Sequence, residues 1–82
     1  MWGKMIIKSV SGKVLATTSH KGIRQTLEWC AGEGLDLSGA DLRRAKLSYA
    51  SLDGLHAPGA CLWGADLTGS DIGFSNLQQA DL

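Results

Sequence analysis

The chain has 82 residues and no net charge, because eight Lys and Arg residues balance eight Asp and Glu residues. This length fits one domain with a modest core. No apolar run is long enough to span a membrane and no signal-peptide pattern is present, so we expect no membrane association and a cytoplasmic location. The charges are unevenly placed, with a surplus of cations in residues 1–34 and of Asp in residues 35–82.

The first predicted element is a β-hairpin. Residues 5–10 and 13–18 are short runs rich in strand-forming residues, and they flank Ser11 and Gly12. A Ser-Gly pair between two such runs is typical of a hairpin turn.

A helix is predicted next, over residues 21–31, with Ser19 as its N-cap. Three apolar residues at spacings of four and three share one face of this helix. They are Ile23, Leu27 and Cys30. Gly32 and Gly34 are expected to end the helix.

From Leu35 to Leu82 the sequence repeats every five residues. The first position is Ala, Ser or Leu, the second is mostly polar, and the fifth is often Gly. The third position is Leu or Ile in every repeat except the one that contains Ala57. The predicted core residues are third-position residues: Leu37, Leu42, Leu47, Leu52, Leu62, Leu67, Ile72 and Leu77.

A period of five matches neither the helical period of 3.6 nor the strand period of two. The chain must therefore turn a corner about once per repeat if every third-position residue is to face a common axis. The small first-position residues face inward beside them, and the other positions face solvent. This arrangement is a solenoid, in which each coil buries its apolar edge against its neighbours. Glycine at the fifth position suits corners that would strain a residue with a Cβ; these glycines are Gly39, Gly54, Gly59, Gly64 and Gly69.

The motif A-(D/N)-L-x-x over residues 35–82 resembles that of the pentapeptide-repeat family. The resemblance implies an all-β solenoid, a short right-handed quadrilateral β-helix with four repeats per coil and about 2.5 coils. The sequence supports a coil of twenty residues, because the two bulky first-position residues, Leu35 and Leu55, are twenty apart.

Residues 1–34 break the period, and we expect them to form a cap on residues 35–82 within one structural unit. The end of a β-helix exposes unpaired strand edges and apolar core, which hairpin and helix can cover. An independent functional role for this segment is the alternative. No second cap is evident near Leu82, so we expect a homodimer through an open C-terminal end, a partner that covers it, or a longer parent protein.

No catalytic constellation, cofactor motif or metal-ligand spacing is evident, so we expect no enzyme, no cofactor and no metal. His20 and His56 are far apart in sequence, and neither adjoins a nucleophile motif. Cys30 and Cys61 lack metal-ligand spacing and are expected to be free thiols.

The candidate partner contacts are exposed aromatic and charged residues of the repeats. Arg43 and Trp63 occupy the same position one coil apart, which predicts that the guanidinium lies over the indole. Arg43, Arg44 and Lys46 form the one basic cluster, but they are too few among nearby Asp residues for direct nucleic-acid binding. The predicted contacts are Trp63, Arg43, Asp41, Asp66, Asp71 and Asp81.

Function is expected to be non-enzymatic binding of another protein. The family resemblance implies an inhibitor or modulator of a DNA-handling or host-defence enzyme, such as a topoisomerase or a defence nuclease, with DNA mimicry as one way to act. Mimicry needs rows of carboxylates to match the phosphate charges, and the six Asp residues of the repeats form no continuous row. The alternative is a passive, self-assembling structural solenoid or the N-terminal fragment of a longer repeat protein.

Overall fold

The structure, a computed structural model, describes residues 4–73 and 75–77. It begins with the predicted hairpin, in which β1 (Met5–Lys8) pairs antiparallel with β2 (Val14–Thr18). Ile7 lies opposite Ala16, and both side chains are buried. The turn between the strands places Gly12 at a φ of 96°, a conformation that glycine adopts without steric cost.

The hairpin joins the repeats through its turn end. The Val10 N–H donates to the Gly39 carbonyl over 2.9 Å, and the Asp41 N–H donates to the Lys8 carbonyl over 2.7 Å. Ser9 forms an antiparallel bridge with Ala40. The hairpin therefore pairs with the backbone of the first coil, which removes part of an exposed strand edge.

The helix α1 (Ile23–Glu33) starts and ends two residues later than predicted. Its N-cap is Gly22, so the prediction of Ser19 was wrong. A capping oxygen reaches amides only two or three positions further on, and Ser19 is too far upstream. Gly34 ends the helix in the left-handed conformation, at a φ of 68°, whereas Gly32 lies inside the helix.

The helix packs against the first coil through the face that the spacing indicates. Leu27 and Cys30 have no exposed surface, and Ile23 is half-buried against the same core. The Glu28 carboxylate accepts a hydrogen bond of 2.8 Å from the Ser51 N–H. Apolar burial and one charge-assisted bond thus hold the helix on the repeats.

The repeats stack in parallel at an offset of twenty residues, which is four repeats of five. Backbone hydrogen bonds run between coils, as from the Leu42 N–H to the Cys61 carbonyl at 2.8 Å. The parallel bridges are Asp36–His56, Asp41–Cys61, Lys46–Asp66, Ser51–Asp71 and His56–Asn76. This part of the chain has a β-helix type of fold.

Each corner of a coil is a hydrogen-bonded turn. The third-position carbonyl accepts from the N–H that begins the next repeat, as Leu37 does from Ala40 at 3.0 Å. The fifth-position residue has a positive φ, as in type II turns, which favours glycine there. The prediction that fifth-position glycines suit the corners is confirmed at Gly39, Gly54, Gly59, Gly64 and Gly69.

The core lies inside these corners and is best covered in the first coil. Five of the predicted core leucines are at most 4% exposed, and Ala57 has no exposed surface. These leucines are Leu37, Leu42, Leu47, Leu52 and Leu62. Leu67 and Leu77 are half-buried. Ile72 is 42% exposed, so its prediction as a core residue was wrong. It stacks above Leu52, and among the described residues no further coil covers its outer side.

Candidate functional site

Among the described repeats, two corners carry bulky side chains where five others carry glycine. Arg44 has a φ of 61° and Tyr49 a φ of 57°, and these are the non-glycine residues with positive φ in the described part of the chain. A side-chain-bearing residue in this region is strained by about 1 kcal/mol relative to glycine. Because such strain clusters at functional positions, these corners are the starting point for a site.

The Arg44 side chain lies over the indole of Trp63 in the next coil. The guanidinium carbon is 5.5 Å from the ring centroid, within the range of a cation–π contact. The backbone fixes this approach, since the Arg44 N–H donates to the Trp63 carbonyl over 2.9 Å. A Cβ on Gly64 would be 3.3 Å from the Arg44 Cγ, so glycine at that corner leaves the arginine room.

Arg43 faces a different partner, which corrects the prediction that it covers Trp63. Its Nε and one terminal nitrogen each donate to the Asp41 carboxylate at 2.8 Å. Second and fourth positions of one repeat lie on the same outward side, so Asp41 is within reach of Arg43 inside the repeat. Arg44 contacts the indole instead, because its positive φ directs its side chain along the corner.

Tyr49 occupies the next corner and crosses to the following coil in the same way. A Cβ built on Gly69 would lie 2.5 Å from the Tyr49 Cε1, closer than any real contact. Glycine at position 69 therefore lets the tyrosine ring lie against the backbone. The Tyr49 side chain is nevertheless 70% exposed, and Trp63 is 56% exposed.

Between these two corners lies an outward side that contains Lys46 and Asp66. The two residues form a parallel backbone bridge. Their side chains form no ion pair, because the ion pairs of the described residues join Arg43 to Asp41 and His56 to Asp36. The Lys46 ammonium and the Arg44 guanidinium therefore have no carboxylate partner in the described part of the chain.

Second-position carboxylates close local turns. Asp36, Asp66 and Asp71 each accept a hydrogen bond of about 3 Å from the N–H two residues further on. Side-chain hydrogen bonds from Ser38 and Thr68 hold the pKa of the Asp36 and Asp66 carboxyls below the ordinary value. The hydrogen bond from Arg43 likewise lowers the pKa of Asp41. The carboxylates of Asp36, Asp41 and Asp66 are therefore ionised at neutral pH and already bonded within their own repeats.

The structure brings together three of the six predicted contacts. Asp41, Arg43 and Trp63 line one shallow cleft together with Arg44, and we call these four residues the Trp63 cluster. Asp66 lies on the next side and Asp71 on the side after that. Asp81 lies outside the described residues.

Neither a cluster of metal ligands nor a membrane-spanning helix is present in the described part of the chain. The described residues contain no group of three or more His, Cys, Asp or Glu side chains that could hold a metal ion. No helix in residues 4–73 and 75–77 is both long and apolar enough to cross a bilayer. Cys30 and Cys61 are free thiols, and burial raises the pKa of Cys30.

A family model for pentapeptide repeats matches residues 36–73 and 54–82 with eight copies, which is more than half of the chain. The chain belongs to the pentapeptide-repeat family. No curated protein and no solved structure matches it. Membership in this family points to a protein-interaction or structural module.

Two residues of this pentapeptide-repeat protein were missed as site residues by the sequence interpretation. Arg44 was assigned only to the basic cluster, and Tyr49 was not among the predicted contacts. Both interrupt the series of corner glycines, and that interruption is a signal visible in the sequence. A bulky residue at a position that favours glycine marks a side chain retained despite backbone strain.

Proposed function

We propose that this chain is a non-enzymatic protein-binding module and that the Trp63 cluster is part of its binding surface. The observation that carries the proposal is the exposed indole of Trp63 held under the Arg44 guanidinium. Tryptophan, tyrosine and arginine are the residues most enriched at energetically important positions of protein interfaces.

The packing of the cluster favours binding. Arg44 and Tyr49 are fixed by corner backbone and by contact with the following coil. Side chains that are already ordered lose less entropy when a partner binds. The stack of coils supplies a rigid base, and we propose for it the right-handed, four-sided form that the family resemblance implies. The two free cysteines agree with a reducing compartment, and we propose a cytoplasmic location.

A finer proposal is that the chain inhibits or modulates a DNA-handling or host-defence enzyme by mimicking DNA. Its support is the exposed, ionised carboxylates of Asp36 and Asp66. A duplex carries one charge per ~1.7 Å of axis. In the bridges of the described repeats each Asp stacks on a residue other than Asp or Glu, such as His56 or Lys46. No bridged column of the described repeats therefore carries two carboxylates in succession, and mimicry is the weaker part of the proposal.

The second candidate is a structural, self-assembling solenoid. The observation that favours it is the exposure of Ile72, whose outer side no further coil covers among the described residues. An exposed core residue at the end of a solenoid is a surface on which a second copy can stack. In that case the side of the coil around Trp63 would have no partner.

A comparison of variants in one pull-down tests the proposal. Tagged wild-type protein, Trp63→Ala and Val14→Ala are incubated with bacterial lysate, and bound proteins are eluted first with duplex DNA and then with salt. Val14 is a matched control, because it is an apolar residue of similar exposure, 53% against 56%, on the hairpin. We expect one partner that is retained by Val14→Ala and lost by Trp63→Ala.

The elution step separates the candidates. Release by duplex DNA would favour mimicry, whereas release by salt alone would favour an ordinary protein interface. Recovery of the protein itself and nothing else would support the structural solenoid. A partner that binds Trp63→Ala as well as wild type would contradict the assignment of the binding surface.

A further inference from the structure

We propose that the side of the coil between the Arg44 and Tyr49 corners binds an acidic peptide segment with an apolar residue beside its carboxylate. This surface, named here the Arg44 face, consists of Arg44, Lys46, Tyr49 and Trp63. The inference rests on the proposed protein-binding function and specifies the chemistry of the partner.

Charge gives the first argument. Arg44 and Lys46 are two positions apart around one corner and have no ion-pair partner among the described residues. Arg43, their neighbour, has its guanidinium satisfied by two bonds to Asp41. Asp41 thus neutralises Arg43, whereas Arg44 and Lys46 remain available to pair with a carboxylate of a partner.

The geometry of Arg44 gives the second argument. A guanidinium stacked on an aromatic ring keeps its in-plane N–H donors free, and these donors fit the two oxygens of a carboxylate. The contact with the Trp63 ring also holds the guanidinium in place before binding. The exposed surfaces of Trp63 and Tyr49 flank the cations and can cover an apolar side chain next to the bound carboxylate.

Backbone conformation gives an independent third argument. Glycine fits a corner with positive φ without strain, and it occupies the stacked positions 64 and 69 directly above Arg44 and Tyr49. Both large side chains use the space that these glycines leave. The two strained corners and the two glycines therefore all help to place side chains on the Arg44 face.

A peptide is favoured over a nucleic acid by the surrounding groups. Asp41 lies on the side before the Arg44 corner, and Asp66 lies on the same side as Lys46 in the next coil; both would repel a continuous row of phosphates. One face of the Trp63 ring is covered by Arg44, which leaves less of the indole for stacking with a base. A peptide with spaced carboxylates avoids both problems.

The test is a selection from a random-peptide phage library on the immobilised full chain. Selected peptides are then labelled with fluorescein and measured by fluorescence polarisation against wild type, Arg44→Gly, Tyr49→Gly and Arg24→Gln. Arg24, on the exposed side of helix α1, is the control for loss of one positive charge. A version of each peptide with Asn and Gln in place of Asp and Glu tests the carboxylates, and an oligo-dT strand tests nucleic acid.

We expect the selected peptides to be enriched in Asp or Glu next to aromatic or aliphatic residues. Arg44→Gly and the amide peptides should weaken binding by roughly ten-fold or more, the effect of losing a charge-assisted bond. Arg24→Gln should bind as wild type does. Arg44→Gly should melt at the same or a higher temperature than wild type, because glycine fits this corner, so lost binding would not reflect unfolding.

The inference is overturned if no peptide is selected, if the selected peptides lack acidic residues, or if Arg44→Gly binds them as wild type does. It is also overturned if oligo-dT binds more tightly than every peptide. A lysate partner that depends on Trp63 but is not displaced by an acidic peptide would refute this inference alone. Absence of any such partner would refute the proposed function.

Discussion

Replacing Leu47 with Ala should destabilise the protein far more than the same change at Ile72. Both are third-position residues, but Leu47 has no exposed surface and Ile72 is 42% exposed. Truncation of a fully buried leucine costs about 3 kcal/mol, since the lost transfer free energy adds to that of the cavity. For the half-exposed isoleucine we expect about 1 kcal/mol.

These losses are large for a chain of this size, whose total stability should be roughly 4–12 kcal/mol. The measurement is denaturant unfolding followed by circular dichroism, with the slope of the transition checked for constancy. Leu47→Asp places a charge in the same site and should abolish folding. Equal losses for the two alanine variants would refute the assignment of inward positions and of the end of the stack.

Three further outcomes are expected. Gly39→Ala should cost about 1 kcal/mol from its φ alone, and Gly69→Ala should cost more in the same denaturation assay, because its Cβ also displaces a tyrosine ring. The pKa of Asp66 is lower in the folded protein than its ordinary value of 3.8, so the ionised carboxylate stabilises the fold above about pH 3.8. This stabilisation is lost as the pH falls through the folded-state pKa, and Asp66→Asn should therefore differ most from wild type in stability near neutral pH. Native Cys30 should react with a thiol reagent more slowly than Cys61, since Cys30 is buried and its pKa is raised.

The corner glycines could be predicted from the five-residue period and the hairpin from its Ser-Gly turn, because both depend on local sequence. Gly39 and the glycines in register with it have the positive φ that the turns require. The start of the helix was predicted less well, since Ser19 has the right chemistry for a cap but the wrong distance from the first helical residue.

The contacts of the candidate site were harder to predict. Arg43 and Arg44 are adjacent and chemically equal, and the repeat register alone favours Arg43 as the partner of Trp63. Which of the two arginines contacts Trp63 is decided by two features that the register does not contain, the Asp41 carboxylate and the positive φ of Arg44. The exposure of Ile72 depends on how many coils lie above it. The sequence pattern of a single repeat does not give that number.

The twenty-residue offset between stacked residues has a consequence for how such a chain can change in length. Insertion or removal of twenty residues adds or deletes a whole coil and leaves every later side chain on the same side of the solenoid as before. An insertion of five residues preserves the inward leucines but moves all later side chains around to the next side. Placed between helix α1 and Trp63, it would redirect the aromatic surface relative to the hairpin while the core stayed intact. Surfaces on this fold can thus be reoriented by length alone, without new side chains.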